Sequence, residues 1–273
     1  MFKQQVTSKI LKGLVILSAI ITFAMLIFIV IYILIKGLPH IKLDLFAFEY
    51  TSENASLTPA FINTIIMTLT SLLVAVPIGV FAAIFLVEYA KSGNKFIQII
   101  RIMAETLAGI PSIVYGLFGL LLFVTTFGWG FSILAGAFTL AIMILPLIMR
   151  TTEEALKGVS NTYREGSFGL GAGKLRTIFR IVLPSATPGI LAGVILATGR
   201  IVGETAALIF TAGTVADVPE SLMGSGRTLA VHMYNLSSEG LHMDQAYATA
   251  VVLLILVVAL NTISSVVAKR ISK

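Results

Sequence analysis

The sequence predicts an all-α integral membrane protein with six transmembrane helices. Hydrophobic residues make up 57% of its 273 residues and charged residues only 12%, about half of the roughly 25% typical of a soluble domain. A soluble fold cannot bury so much apolar surface, and a disordered chain has the opposite composition. The apolar residues are gathered in runs of about 20, which is the length of a helix that crosses a bilayer.

Six such runs occur, at about 14–35, 62–87, 106–124, 132–149, 188–212 and 246–268. The first follows Lys3, Lys9 and Lys12, as the apolar core of a secretory signal also would. It is longer than the core of about 7–15 residues found in signals, and no small-x-small cleavage site follows it. We therefore expect a retained first span.

The connectors between the runs alternate between rich and poor in Lys and Arg. The N-terminus, the connectors after the second and fourth runs, and the C-terminus hold most of the 19 basic residues. Basic segments tend to stay in the cytoplasm. Both termini are therefore expected there, and an odd number of spans would break the alternation.

The remaining composition excludes several classes of site. The net charge of +6 is spread over connectors, whereas a nucleic-acid binder needs a basic patch on one face. The chain has no cysteine, which excludes disulfides, iron–sulfur clusters and thiolate metal sites. The three histidines, His40, His232 and His242, are not at ligand spacing. No catalytic residue, no metal site and no cofactor bound by this chain is predicted.

The long external connector, at about 213–245, contains a helical pattern. After the glycine-rich stretch at 224–226, apolar and aromatic residues recur at helical spacing: Leu229, Ala230, Met233 and Tyr234. This spacing indicates either a short amphipathic helix lying on or dipping into the outer face, or a plain surface helix.

The long cytoplasmic connector, at about 150–187, is polar and basic with regular glycines. A helix at 153–159 should break near Gly158, and a second should end around 169–171, where glycine adopts left-handed conformations. A third, at 174–182, should stop before Pro184. Together they predict a compact knob that projects into the cytoplasm.

The glycines of this connector do not form a nucleotide site. Gly169 to Lys174 superficially matches a phosphate-binding loop, but Phe168 stands where the first glycine belongs and Leu175 follows the lysine. The dinucleotide pattern fails as well, because position 174 is Lys and no strand is expected before it. We expect that the chain itself binds no ATP.

The connector resembles the coupling loop of permease subunits of ABC importers. In that family a glutamate and two alanines are followed, at fixed spacing, by a glycine and then by Ile-x-Leu-Pro. The matching positions here are Glu165, Gly171, Ile181, Leu183 and Pro184, with Gly166 and Ser167 in place of the alanines. The resemblance implies a coupling helix that docks on a separate ATPase subunit.

Other stretches resemble the phosphate-uptake branch of these permeases, the PstA type. They are 61–64, 107–116 (LAGIPSIVYG), 145–155 (LPLIMRTTEEA) and 199–206 (GRIVGETA). The resemblance implies the type I importer (MetI-like) fold, with residues 1–57 as a less specific N-terminal part and 58–273 as the permease core. It also implies a homologous second permease, two copies of an ATPase that binds ATP and Mg, an external phosphate-binding protein, and a bacterial or archaeal cytoplasmic membrane.

Two charges stand inside the predicted fifth span. Arg200 lies 12 residues after position 188, about 18 Å along a helix, and Glu204 follows four residues later on the same face. A charge at this depth costs about 2.5–3.5 kcal/mol, so it needs a partner or a wet cavity. We expect these two residues either to line a substrate path or to form a structural ion pair. A second stripe of hydroxyl residues, Thr64, Thr68 and Ser71, is expected to line the path or to pack against another helix.

These observations favour a permease that forms half of a phosphate path by alternating access. An importer for sulfate, molybdate or another oxyanion remains open, since composition alone does not identify phosphate. A stand-alone secondary transporter would favour inverted repeats or several intramembrane carboxylates. A membrane enzyme would need a metal cluster or a nucleophile–base pair.

Overall fold

The computed structural model describes residues 2–90 and 93–271, and all regular structure within them is helical. The α-helices are α1 (Phe2–Gly37), α2 (Thr58–Ile84), α3 (Lys95–Ala108), α4 (Ser112–Gly119), α5 (Ile133–Lys157), α6 (Asn161–Gly169), α7 (Lys174–Thr177), α8 (Leu183–Val202), α9 (Ala206–Ile209), α10 (Leu229–Glu239) and α11 (Met243–Ile271). Wider π-helical turns extend α2 (Phe85–Tyr89) and α4 (Leu120–Thr126) and join α7 to α8 (Ile178–Val182). Short 3-10 turns at Leu38–His40 and Leu43–Phe46 follow α1.

Five helical segments are long and apolar enough to cross a membrane. They are Ile10–His40, Thr58–Tyr89, Ile133–Lys157, Lys174–Val202 and Met243–Val266. The bent pair formed by α3 and α4 makes a sixth when the pair is counted as one span. The all-α prediction with six spans is therefore confirmed.

The third span differs from the straight helix predicted at 106–124. Helices α3 and α4 meet at 102° around Gly109 and Pro111. Proline has no backbone N–H, and its ring disfavours helical geometry in the residue before it, so the helix ends here. The Tyr115 hydroxyl donates a hydrogen bond of 2.7 Å to the Leu107 carbonyl, which holds the bend from inside.

The fifth span begins at Lys174 and ends at Val202, whereas the sequence predicted 188–212. Pro184 does not stop the preceding helix as expected. The π-helical turn at Ile178–Val182 precedes it, and Pro184 then stands in the first turn of α8, where a missing N–H is tolerated. At the other end Gly203 caps α8, and only the short α9 follows.

The core lies between α2, α5 and α8. Its fully buried side chains include Met67, Leu140 and Ile144. Helices α5 and α8 approach closely because α8 presents glycines: a Cβ on Gly189 would lie 2.6 Å from the Ala155 Cβ, and one on Gly193 would overlap the Thr151 side chain. Such small-residue contacts are typical of helix pairs in membranes.

Helix α1 stands outside this core. None of its membrane-spanning window is buried within the chain, and it contacts α11, where the Tyr32 and Tyr247 rings meet edge to face at 6.0 Å. The predicted external helix is present as α10, with Leu229 and Leu236 buried. At the opposite end α6 and α7 form the predicted knob, joined by the buried pair of Ser167 and Thr177 hydroxyls at 2.8 Å.

Candidate functional site

A charged cavity of about 340 Å³ opens among α3, α5 and α8, toward the end of the molecule that carries the knob. Its charged lining residues are Arg101 and Glu105 from α3, Arg150, Glu153, Glu154 and Lys157 from α5, and Arg200 from α8. The bend between α3 and α4 directs α3 across the molecule, so that its polar face reaches the end of α5. Four cationic and three anionic groups therefore share one water-accessible space.

Arg200 is placed in the last turn of α8 and is half-buried in the wall of this cavity. The carbonyl ends of a helix favour a positive charge at this position. Among the described residues no carboxylate oxygen lies within 4.0 Å of its guanidinium. The group is therefore able to bind an anion that enters the cavity.

Glu204 does not share the surroundings of Arg200, although the two are four residues apart. Helix α8 ends at Val202, and the chain turns at Gly203 before Glu204. The buried Glu204 carboxylate accepts a hydrogen bond of 3.1 Å from the backbone N–H of Ala207, at the start of α9. Glu204 therefore stands just before the N-cap residue Thr205, binds a backbone N–H at the start of α9, and does not line the cavity.

The sequence did not predict that the other charged residues line a site, because they fall in segments that were expected to be connectors between spans. Glu153 is buried, and its Oε1 forms ion pairs with the Arg101 guanidinium at 2.8 Å and with the Lys157 ammonium at 2.7 Å. Arg150 and Glu154 form an exposed pair at 3.4 Å. The i,i+4 spacing of Glu153 with Lys157 and of Arg150 with Glu154 could have predicted both pairs within α5. Spacing could not have predicted the contact of Arg101 with Glu153, because Arg101 belongs to another helix, α3.

The hydroxyl stripe of α2 lies away from this cavity, buried between helices. Thr64 donates to the Ala60 carbonyl at 2.7 Å and accepts from the Leu229 N–H at 2.9 Å. Ser71 donates to the Met67 carbonyl at 2.7 Å. The Thr68 hydroxyl is buried without a hydrogen-bond partner. A path role for these three residues stays a prediction.

The coupling-loop residues lie on the knob. Glu165 is exposed on α6, and Gly171 adopts φ +82° where the chain reverses. Its N–H donates to the Phe168 carbonyl at 2.9 Å, which is the kind of helix ending that favours glycine. Ile181 and Leu183 are half-buried and Pro184 is exposed at the junction with α8.

The tip of the knob presents a cluster of apolar side chains to solvent. Leu170 is 91% exposed, and Tyr163, Phe168 and Leu175 are also exposed. Exposed apolar clusters of this kind mark protein–protein contacts. Across residues 2–90 and 93–271, no group of three or more His, Cys, Asp or Glu side chains is arranged to hold a metal ion.

Comparison with known sequences identifies a family. Residues 75–273 match the model of the binding-protein-dependent transport system inner membrane component. The chain is 35% identical to a probable ABC transporter permease protein, YqgI, of Bacillus subtilis, over 88% of this chain and 87% of that protein. It is 37% identical to the phosphate transport system permease protein PstA of Haemophilus influenzae, over 75% and 73% of the two chains.

Solved structures share the fold. A chain of the MetNI methionine ABC transporter, described as inward facing, has a TM-score of 0.62 at 18% identity and covers 80% of this chain and 94% of its own. A chain of a bacterial alginate ABC transporter, in complex with an alginate pentasaccharide-bound periplasmic protein, has a TM-score of 0.64 at 16% identity and covers 93% and 95%. At these identities the likeness shows the fold alone.

Proposed function

Because this chain belongs to the family of binding-protein-dependent transport system inner membrane components, we propose that it is the permease subunit of an ATP-driven phosphate importer. Several relatives at 33–39% identity are named as phosphate transport system permease proteins. Their names favour phosphate over sulfate or molybdate. The chain is a multi-pass membrane protein, and the proposed location is the cytoplasmic membrane of a bacterium or archaeon.

The observation that carries the proposal is the placement of Arg200 in the cavity wall, with no carboxylate of the described residues paired to it. A guanidinium is always charged and presents a planar set of donors that can clamp a phosphoryl group through two hydrogen bonds. Arg101, Arg150 and Lys157 line the same cavity toward the knob. The cavity therefore provides a series of cationic groups for an anion that leaves toward the cytoplasm.

The proposed substrate path thus begins, in this conformation, at Arg200 and continues along α3 and α5. The Arg101–Glu153–Lys157 cluster keeps these cations from repelling one another when the cavity is empty. Glu204 supports the path indirectly, because it fixes the turn that directs α8 into α9.

We propose that hydrolysis of ATP with Mg takes place on two copies of a separate ATPase subunit that receive the exposed tip of the knob. A homologous second permease would complete the other half of the path, and an external phosphate-binding protein would deliver the substrate. Alternating access would follow from movements of the knobs when the ATPase dimer closes. The apolar knob tip and the family membership support these partners.

The test is transport by the reconstituted complex. This chain would be placed in liposomes with the second permease, the ATPase and the external binding protein, and uptake of labelled phosphate, sulfate and molybdate would be measured with ATP and Mg. The proposal predicts ATP-dependent uptake of phosphate and little uptake of the other two anions. Uptake of sulfate or molybdate in preference to phosphate would contradict the substrate assignment.

A further inference from the structure

Arg164 lies on α6 of the knob, but its side chain points away from the exposed tip and back into the membrane domain. Its Nη1 donates to the Val159 carbonyl at 2.7 Å, and its Nη2 donates to the Leu156 carbonyl at 2.9 Å. Both carbonyls belong to the end of α5 or the turn just after it. The negative end of a helix stabilises a cation there, so Arg164 fastens α6 to α5.

The same guanidinium binds a third element. Its Nε and Nη2 lie 3.1 and 2.8 Å from Glu88 Oε1, in the π-helical turn that ends α2. The side chains of Arg164 and Glu88 are only 14% and 9% exposed. Charge-assisted hydrogen bonds are strong in such water-poor surroundings, and removal of one partner leaves a buried charge uncompensated.

A second contact joins the knob to the same end of α2. The Lys174 ammonium at the start of α7 lies 4.6 Å from the centre of the Tyr89 ring, next to Glu88. Because the Ser167 and Thr177 hydroxyls hold α6 and α7 together, the knob contacts α2 as one body.

The opposite end of α2 is anchored at the external side. The Asn63 side-chain amide donates to the Asp217 carbonyl at 2.9 Å, and the Thr64 hydroxyl accepts from the Leu229 N–H at 2.9 Å. The span from Thr58 to Tyr89 therefore joins the knob to the segment that leads into α10.

We propose that the Arg164–Glu88 pair is the link that transmits motion of the knob to α2, and that it couples ATP hydrolysis to opening of the path. Arg164 and Glu88 are positioning residues, since neither lines the cavity. The inference rests on the proposed function, because it needs a partner ATPase that moves the knob.

The test uses the complete reconstituted complex with Glu88→Gln or Arg164→Lys. Each variant is expected to retain basal ATP hydrolysis, while phosphate moved per ATP falls about tenfold or more, because the knob moves without α2. A merely structural role would lower hydrolysis and transport together. Wild-type phosphate transport per ATP in both variants would overturn the proposal. Asp244→Asn, which removes the exposed pair with His40, is the matched control and should leave this ratio unchanged.

A cross-link tests the same contact in a second way. The chain has no cysteine, so Glu88→Cys combined with Arg164→Cys can be joined selectively by a short bifunctional thiol reagent. Cross-linking is expected to restore stimulated hydrolysis and transport to the double variant. A complete cross-link, verified by intact mass, that restores neither would overturn the proposal. A wild-type complex that couples hydrolysis to another anion would contradict only the phosphate assignment.

Discussion

Arg200 and Glu204 have the spacing of an ion pair, but the structure gives them separate roles. Helix α8 ends between them, so Glu204 binds a backbone N–H of α9 while Arg200 stays in the cavity wall. The sequence singled out Arg200 because it is a lone cation in an apolar run. It could not show that the helix stops two residues later, since Gly203 is compatible with either arrangement. The other charged residues of the cavity come from helices that are distant from Arg200 in sequence.

Replacement of Arg200 tests the anion clamp. Arg200→Lys keeps the charge but loses the planar pair of donors. The loss of one charged hydrogen bond, about 1.5–3 kcal/mol, predicts a decrease in phosphate transport of about ten- to a hundredfold with normal assembly. Uptake by purified complexes measures this, and wild-type rates in Arg200→Ala would show that Arg200 has no role in the path.

Because His232 is buried, we predict that the stability of the protein depends on pH. The residue is fully buried on α10, outside the spans, with its ring edge to face against Tyr50 at 6.0 Å. Burial, together with the charge of Arg227, lowers the pKa of His232 from 6.5 to about 3. The unfolded chain protonates this histidine more readily than the folded chain does. The contribution of His232 to the free energy of unfolding is therefore fully present above pH 6.5, and it falls by up to about 1.4 kcal/mol per pH unit as the pH drops from 6.5 to 3.

His232→Gln should flatten this dependence, because glutamine does not titrate. Thermal unfolding of the detergent-solubilised protein between pH 6.5 and 4 measures it, with the partly exposed His242→Gln as the control. An unchanged pH profile in His232→Gln would show that another group is responsible.

At the scale of elements, apolar runs predicted which segments cross the membrane but not where they bend. The run at 106–124 has the length and apolar content of one straight span, but Pro111 inside it was a signal for the 102° break. The start of the fifth span was placed too late because Pro184 and Pro188 suggested a stop. The π-helical turn that accommodates Pro184 depends on local backbone geometry, for which no residue pattern in this chain gives a signal.

The contact of α4 with α9 predicts a sensitive glycine. A Cβ on Gly116 would lie 2.8 Å from the Ala207 Cα, a backbone atom that cannot move alone. Gly116→Ala should therefore destabilise the protein by about 1–3 kcal/mol, a typical cost of overpacking. Gly13→Ala is the matched control, because nothing lies within 4 Å of its Cβ position. Equal melting temperatures for the two variants would contradict this packing.

The knob predicts a second sensitive position, Gly171. Its φ of +82° is incompatible with proline, which fixes φ near −65°. Gly171→Pro should disrupt the turn between α6 and α7 and abolish substrate-stimulated ATP hydrolysis, while the spans still insert. Membrane fractionation and ATPase assays of the complex separate the two effects. If substrate still stimulates ATP hydrolysis in this variant as in the wild type, the loop has no coupling role.

At the scale of the whole molecule, charge and hydropathy were enough to predict six helical spans and a basic, structured knob at one end. They could not predict the cavity, because it forms only where a bent α3 meets α5 and α8. They could not predict the buried Arg164–Glu88 contact either, because its two residues are 76 positions apart. The apolar window of α1, none of which is buried within the chain, is the kind of surface that faces lipid.

The central claim is that this chain passes phosphate only when a partner ATPase drives it. The most direct measurement is uptake of labelled phosphate into liposomes that contain the permeases and the external binding protein, with and without the ATPase subunit. We predict uptake that requires both the ATPase and ATP. Phosphate uptake at the same rate when the ATPase is omitted would contradict the account.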